Sequence, residues 1–338
     1  MRRTQRLNGL GTESLQLAPR VFVTGSAGQI GAELVPYLRS LYGNSNVVAG
    51  LHKASGGPLL RAGPIEVLDI SDASALTRVI EEHKVDTIYH LAALLSATGE
   101  NNPQLAWQVN MDGLRNVLEV ARTNGLSKVF WPSSIAVFGP DAPRIDAPQN
   151  APLNPTTMYG VTKVAGELLC NYYFLKYGLD VRSLRYPGLI SSEAPPGGGT
   201  TDYAVEIFYS ALTKGSYSCF LREDTVLPMM YMPDALRATV DLMQADGRKV
   251  PRHLGYNLAA ISFSAGEIAS EIRKQIPGFR VTYSPDHRQK IADSWPMSIS
   301  DTEARRDWGW SHGYDLTKMT SDMLSKLGPR LKSGQKDV

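Results

Sequence analysis

Tyr159 and Lys163 stand four residues apart in the segment Met158-Tyr159-Gly160-Val161-Thr162-Lys163. In a helix that separation is about one turn, roughly 6 Å of rise, so both side chains share a face. The pair suits proton abstraction. A free phenol has a pKa of about 10 and stays protonated at neutral pH unless a nearby cation stabilises the phenolate. Lys163 is placed to be that cation. Upstream, Pro132-Ser133-Ser134-Ile135-Ala136-Val137-Phe138-Gly139 begins at the end of a predicted strand, where ligands bind in open α/β sheets. From there Ser134 can hydrogen-bond a reacting oxygen.

The apolar run Val21-Phe22-Val23-Thr24 leads into Gly25-Ser26-Ala27-Gly28-Gln29-Ile30-Gly31, with a helical pattern behind it. Three glycines at this spacing allow a tight turn, let the backbone approach a pyrophosphate and let helix and strand pack closely, while the helix N-terminus supplies free N–H donors. The expectation is a dinucleotide site. A positive nicotinamide ring would then assist Lys163: lowering the phenol pKa to about 7 corresponds to roughly 4 kcal/mol of preferential stabilisation of the phenolate. The acid that normally accepts hydrogen bonds from the adenosine ribose is missing. No Asp or Glu stands between Glu33 and Glu66, and the expected place reads Gly50-Leu51-His52-Lys53. A cation without a carboxylate suits a ribose 2′-phosphate, so this loop taken alone favours NADP over NAD; alternatively His52 and Lys53 are solvated loop residues. Asp69 and Ile70, after the third strand, are placed to meet the adenine edge, although Asp69 equally suits a helix cap.

Around these residues, from Arg20 onward, short apolar runs alternate with amphipathic segments, the pattern of a parallel sheet flanked by helices. Strands are predicted near Val21–Val23, Val47–Ala49, Ile65–Leu68, Thr87–Leu91, Lys128–Trp131 and Val181–Leu184. The fold class is therefore α/β, a Rossmann-type doubly wound parallel sheet over residues 20–187. After Pro187 the alternation fails. Pro195, Pro196 and Gly197 to Gly199 form a loop, and the shorter elements of 188–327 read as a smaller substrate-binding lobe with some return to the main domain. The tail 328–338 is polar and reads as loose.

The chain has 338 residues, 43% of them hydrophobic and 20% charged, which is too apolar for disorder and ample for a large core. A formal charge of +2 gives no bulk argument for nucleic acid or an acidic membrane. A small substrate is expected. Cys170 and Cys219, the two cysteines, are too few for a disulfide framework and lack metal-ligand spacing. No run approaches the roughly 18 apolar residues a spanning helix needs. Residues 1–19 carry Arg2, Arg3 and Arg6, spaced leucines and the single acid Glu13, in the style of a mitochondrial transit peptide or of a frayed start.

Together these features resemble the short-chain dehydrogenase/reductase superfamily, in its extended, epimerase- and dehydratase-like branch. The resemblance runs from about Arg20 to Trp310. It includes His90-Leu91-Ala92-Ala93, Asn110-x-x-Gly113-x-x-Asn116, Tyr159-x-x-x-Lys163 and the Asp301-to-Trp310 segment. By analogy Asn110 would be catalytic through a proton-relay water; a capping or packing role is the alternative. The resemblance further implies that the cofactor touches Gly25, Gly28, Gln29, Ile30, Gly31, His52, Lys53, Asp69 and Ile70. Further contacts would come from Leu91, Ala92, Ala93, Asn110, Tyr159, Lys163 and Tyr186.

Members acting on nucleotide sugars commonly carry Arg-Tyr-x-Asn after the sixth strand, where this chain reads Arg185-Tyr186-Pro187-Gly188. Gly188 cannot make the asparagine contact. Ser96, the Gly197-to-Asp202 loop with Thr200 and Thr201, and Ala292-Asp293-Ser294-Trp295-Pro296 offer instead short hydroxyls and a carboxylate, which suit a small zwitterion. With Leu227-Pro-Met-Met-Tyr-Met-Pro-Asp234, the whole closely resembles the short-chain L-threonine 3-dehydrogenase family. That implies oxidation of an amino-acid substrate by NAD. Tyr159 would take the C3 hydroxyl proton, Ser134 steady that oxygen and Lys163 hold the nicotinamide ribose, with Ser96, Gly188, Thr200, Thr201 and Trp295 around the substrate. A homodimer is implied too, through the Tyr159-bearing helix at Leu168, Leu169, Tyr172, Tyr173 and Leu175, unless these face the sheet. The rivals are a nucleotide-sugar epimerase or dehydratase, a non-catalytic dinucleotide-binding protein, and an NADPH-dependent reductase of another small carbonyl.

Overall fold

All six predicted apolar runs become strands of one parallel sheet in the computed structural model, which describes residues 18–53 and 58–332. They are β1 (Val21–Thr24), β2 (Val47–Leu51), β3 (Ile65–Val67), β4 (Thr87–His90), β5 (Lys128–Ser134) and β6 (Asp180–Tyr186). The sheet order is β3-β2-β1-β4-β5-β6, and a short strand, Tyr256–Asn257, joins beside β6 as the seventh. The order reverses between β1 and β4, which opens the crevice where such sheets bind ligands.

Both faces of the sheet are covered, and the period-two alternation of a strand decides which residue goes where. Phe22, Val48, Ile88, Val129 and Val181 pack under α2 (Ala73–His83), α5 (Gly113–Thr123) and α6 (Met158–Tyr177). Their neighbours Val21, Val23, Ala49, Tyr89, Phe130 and Leu184 pack under α1 (Gly31–Tyr42), α8 (Met232–Gln244) and α11 (Thr302–Trp308). Two short helices, α3 (Ser96–Asn101) and α4 (Pro103–Trp107), follow β4, and a π-helical stretch, Gln108–Asp112, joins α4 to α5.

Beyond Pro187 the chain builds smaller sheets. Strands β7 (Gly188–Ile190), β9 (Val226–Tyr231) and β11 (Ile261–Ser264) form one, and β8 (Ser216–Cys219) pairs with β12 (Arg280–Tyr283) in another; Tyr256–Asn257 is β10. Helices α7 (Tyr203–Thr213), α9 (Ala265–Gln275), α10 (His287–Asp293) and α12 (Leu316–Lys332) surround them. Ile135, Val137 and Phe138 pack with Tyr203, Phe208, Met229, Ile268 and Met319 in one buried cluster. The chain returns to the main sheet through α8, β10 and α11.

Two strands run past the apolar stretches that announce them. β5 continues through Ser133 and Ser134, and β6 reaches Tyr186 with Arg182 and Arg185 inside it. Ser133, Arg182 and Arg185 are buried yet partnered, so hydrophobicity alone ends the strands too early. The tail also differs from expectation. Residues 328–332 are helical, the last turns of α12. Pro329 removes one backbone hydrogen bond, but Leu327 is 1% exposed, Leu331 packs on the same cluster, and Arg330 donates to the Ser192 and Glu193 carbonyls. The expected targeting segment falls on residues of which 1–17 lie outside those described, as do 333–338 of the tail. Among the described residues no helix is long and apolar enough to cross a membrane.

Leu327→Ala is expected to destabilise the protein by about 2–5 kcal/mol, the range for a buried leucine truncated to alanine. Urea unfolding measures it; a change within about 0.5 kcal/mol, as for an exposed site, would show that α12 is not docked.

Candidate active site

Gly25 closes β1 in a left-handed conformation, φ 69°, and a Cβ there would lie 2.7 Å from Ala92 N. A Cβ on Gly31 would lie 2.4 Å from the Gly25 carbonyl oxygen. Only glycines leave this backbone cradle open in front of α1, the shape a pyrophosphate needs. A cleft runs from it past Gly50, Leu51 and His52 at the end of β2, Asp69 and Ile70 after β3, and Leu91, Ala92 and Ala93 after β4.

The helix α5 and the π-helical stretch before it support both of the latter loops. Asn116 Nδ2 donates to the Ile70 and Ser71 carbonyls at 3.3 and 2.9 Å. A Cβ on Gly113 would meet Ile70 Cδ1 at 2.5 Å, so the glycine lets the adenine-side loop close on the helix. Asn110 Oδ1 accepts from Leu94 N at 2.8 Å, while its Nδ2 donates to Leu94 O and Thr162 Oγ1 at 3.1 and 3.2 Å. These contacts engage both ends of the Asn110 amide. Its visible work is to join the loop after β4 to α6.

The Thr157 hydroxyl accepts from Gly160 N at 3.1 Å and caps α6, which then carries Tyr159, Lys163 and Glu167 at successive four-residue steps on one face. Ser134 stands beside the Tyr159 hydroxyl, and both line one cavity. Lys163 Nζ donates to the Pro132 carbonyl at 2.6 Å and lies 5.4 Å from the centre of the Tyr159 ring. Burial pushes the Tyr159 hydroxyl up to about 12, only partly offset by Ser134. Burial also brings Lys163 down to about 7, against the opposing pull of Cys170 and Glu167. The helical spacing therefore delivers the expected neighbours but not, by itself, a phenolate. Positive charge entering the site is what favours that form. His90, whose Nδ1 lies 2.7 Å from Thr24 Oγ1, is brought by burial and then by the Lys163 charge to about 3, and is neutral.

One residue of this network escapes a motif search. Glu167 is 1% exposed. It accepts from Ser133 Oγ at 2.5 Å and from Arg185 Nε and Nη2 at 2.8 and 2.7 Å. Ser133 and Arg185 are register partners across β5 and β6, as are Ser134 and Tyr186 one step on. One carboxylate thus fixes α6, with its tyrosine and lysine, against the strand that carries Ser134. The signal in the sequence is an acid four residues beyond Lys163 facing an arginine inside an apolar strand.

A cavity of about 140 Å³ adjoins the cleft. Ser96, Ser134, Tyr159, Gly188, Thr200, Thr201 and Trp295, every residue expected around the substrate, line it together with Gln29, Ile30, Leu91, Ala93, Lys163, Tyr186 and Asp202. Thr200 is 1% exposed, and its hydroxyl has no hydrogen-bond partner among the described residues. Asp202 is engaged differently: its carboxylate accepts from Gly198 N and Gly199 N at 2.7 and 2.8 Å and shapes the loop. Trp295 is held by Arg144, which donates to its carbonyl at 2.5 Å, and the Tyr186 hydroxyl pairs with Thr239. Gly188 is small for a reason. A Cβ there would stand 2.7 Å from Thr201 Cγ2 and 2.3 Å from Met229 Sδ, so the missing side chain is the space that Thr201 fills. Of the residues expected at the cofactor, Gly31 packs beneath the turn, Asn110 lies behind Leu94, and Lys53 is exposed beyond His52; none of these three lines either space.

Elsewhere Glu66, Glu82 and His83 bring three ligand-type atoms together. Arg78 already ion-pairs with both glutamates, at 3.0 and 2.7 Å.

A family model described as the NAD dependent epimerase/dehydratase family matches residues 21–259. The chain belongs to that family. An uncharacterized epimerase/dehydratase of Staphylococcus haemolyticus is 51% identical over 310 residues, 91% of this chain and 97% of that protein. The holo form of an L-threonine dehydrogenase from Cupriavidus necator is 51% identical, with a TM-score of 0.90 over 91% of this chain and 100% of that one. A monomeric L-threonine 3-dehydrogenase from a metagenome is 49% identical, with a TM-score of 0.88 over 91% and 99%. NAD use thus follows from the family, and the glycine cradle fits it.

Glu167→Ala is expected to cost about 3–5 kcal/mol, because it leaves the Arg185 guanidinium buried without its counter-ion; denaturant unfolding reads this, and a loss below about 1 kcal/mol would contradict it. Gly188→Ala is expected to reduce catalytic turnover of the substrate about tenfold or more by displacing Thr201, at a stability cost of about 1–3 kcal/mol for overpacking. Unchanged steady-state kinetics would show that the cavity wall yields.

Proposed function

We propose that the protein oxidises the C3 hydroxyl of L-threonine to 2-amino-3-oxobutanoate with NAD. The observation that carries this reading is that Ser134, Tyr159 and Lys163 open on the same small cavity as Thr200, Thr201 and Gly188. The cavity's hydroxyls, Thr200 Oγ1 first among them, suit the carboxylate and ammonium of an amino acid. Gly188 counts against a nucleotide sugar, since the place of a long polar side chain is taken by Thr201. The joined tyrosine and lysine count against a non-catalytic role. The threonine dehydrogenases among the similar structures support the same substrate.

When bound, NAD supplies the acceptor for the hydride that leaves C3. Tyr159 accepts the C3 hydroxyl proton, so that the C–O bond becomes a carbonyl as the C–H bond breaks. Ser134 donates to that oxygen and fixes its distance from Tyr159. Lys163 holds the nicotinamide ribose, and its positive charge favours the phenolate. Trp295, 5% exposed, forms an apolar wall of the cavity.

The α6 surface supports a homodimer, because Leu168, Tyr172 and Leu175 are 60%, 46% and 73% exposed, whereas Leu169 and Tyr173 turn toward the sheet. Sedimentation of the protein and of Leu175→Glu tests it; a monomer before substitution contradicts it. The basic, leucine-spaced residues 1–19 support mitochondrial targeting, which a fluorescent fusion with and without them reads directly.

Purified protein with L-threonine and NAD is expected to generate NADH absorbance. Tyr159→Phe is expected to lower kcat by about 10³-fold, within the range for removing a general base, while NAD still quenches tryptophan fluorescence. Because burial holds the Tyr159 proton, kcat is expected to rise from neutral to alkaline pH, and the residual rate of Tyr159→Phe to lose that limb. A protein indifferent to threonine, or a flat pH profile, overturns the assignment.

A further inference from the structure

We propose that the adenosine end of the cleft accepts a ribose 2′-phosphate, so that the protein binds NADP alongside NAD. The inference rests on the dinucleotide reading of the glycine cradle and is independent of which substrate is oxidised. In glycine-cradle folds the residue about 20 positions beyond the turn, at the end of the second strand, governs the 2′ position: a carboxylate there bonds the 2′-hydroxyl and repels a 2′-phosphate. That place, counted from Gly31, is Leu51, the last residue of β2.

Leu51 lines the cleft and is 4% exposed, packed with the α1 core. It neither bonds a hydroxyl nor repels a phosphate. The two residues that follow, His52 and Lys53, are exposed, and His52 also lines the cleft. A cationic side chain at this point forms charge-assisted hydrogen bonds with a phosphate. The turn after β1 contributes no charge to the cleft, only Gly25, Ala27 and Gly28. From β3 comes the one carboxylate lining the cleft among the described residues, Asp69. Its Oδ1 accepts from Ser71 N at 2.8 Å, which ties it to its own turn. The device that usually excludes NADP is therefore absent, and basic side chains, His52 at the cleft wall and Lys53 next to it in the chain, stand in its place.

The test uses adenosine fragments that carry no nicotinamide: titration calorimetry of the intact protein with 2′,5′-ADP and with 5′-AMP, at one low ionic strength and without threonine. The expected result is 2′,5′-ADP binding at least as tightly as 5′-AMP. The double variant His52→Ala/Lys53→Ala, at exposed positions, should lower the ratio of the two affinities about fivefold or more, and Leu51→Asp about tenfold or more. Binding of 2′,5′-ADP more than tenfold weaker than that of 5′-AMP overturns the proposal. So does a ratio that the double variant leaves unchanged, even if Leu51→Asp fails to fold. Failure of both fragments to bind overturns it together with the dinucleotide site, whereas failure to oxidise threonine leaves the fragment result standing.

Discussion

The carboxylate of Glu167 is the constraint on which the site depends. It is buried, and it is held from both strands at once, by Ser133 of β5 and Arg185 of β6. Those two residues are in register, and the next pair in register is Ser134 and Tyr186, both at the cavity. A shift of either strand by one residue would separate Ser133 from Arg185 and so break the grip on the helix. The ion pair is thus better understood as a register pin than as a source of stability, since burying two charges costs much of what their attraction returns.

The same burial that makes the pin necessary sets the chemistry. A phenol enclosed at the cavity wall keeps its proton, and an ammonium beside it is half inclined to lose one. The catalytic state is therefore favoured when positive charge and a hydroxyl substrate come together in the cavity, which keeps the base quiescent otherwise. The cavity selects by size. Gly188 yields its volume to Thr201, and the wall thus formed leaves room for an amino acid beside the cleft.

Much of this was legible in the sequence, for definite reasons. Strands such as Val21–Thr24 and Val47–Leu51 are buried on both faces and so read as uninterrupted apolar runs. The glycine cradle and the Tyr159/Lys163 spacing are local geometry that a few residues determine. What was hidden depended on partners distant in the chain. β5 and β6 looked shorter than they are, because Ser133 and Arg185 are polar and become internal through partners distant in the chain, Glu167 for both and Gln149 and Asn257 for Arg185. The polar tail looked loose, because Leu327 and Arg330 reveal their docking only when α12 lies against the lobe. Asn110 was legible as important, with a packing role as one of its two readings, but its partners Leu94 and Thr162 were not, because they lie far from it in the chain.

The most direct test of this account is a double-mutant cycle on kcat between Glu167→Gln and Tyr159→Phe, assayed with L-threonine and NAD. If Glu167 acts by fixing Ser134 and Tyr159 relative to each other, its substitution slows the native enzyme at least tenfold but changes the rate of Tyr159→Phe hardly at all, a coupling of more than about 1 kcal/mol. Equal losses in both backgrounds would show that the pin does not position the base, and would contradict the account.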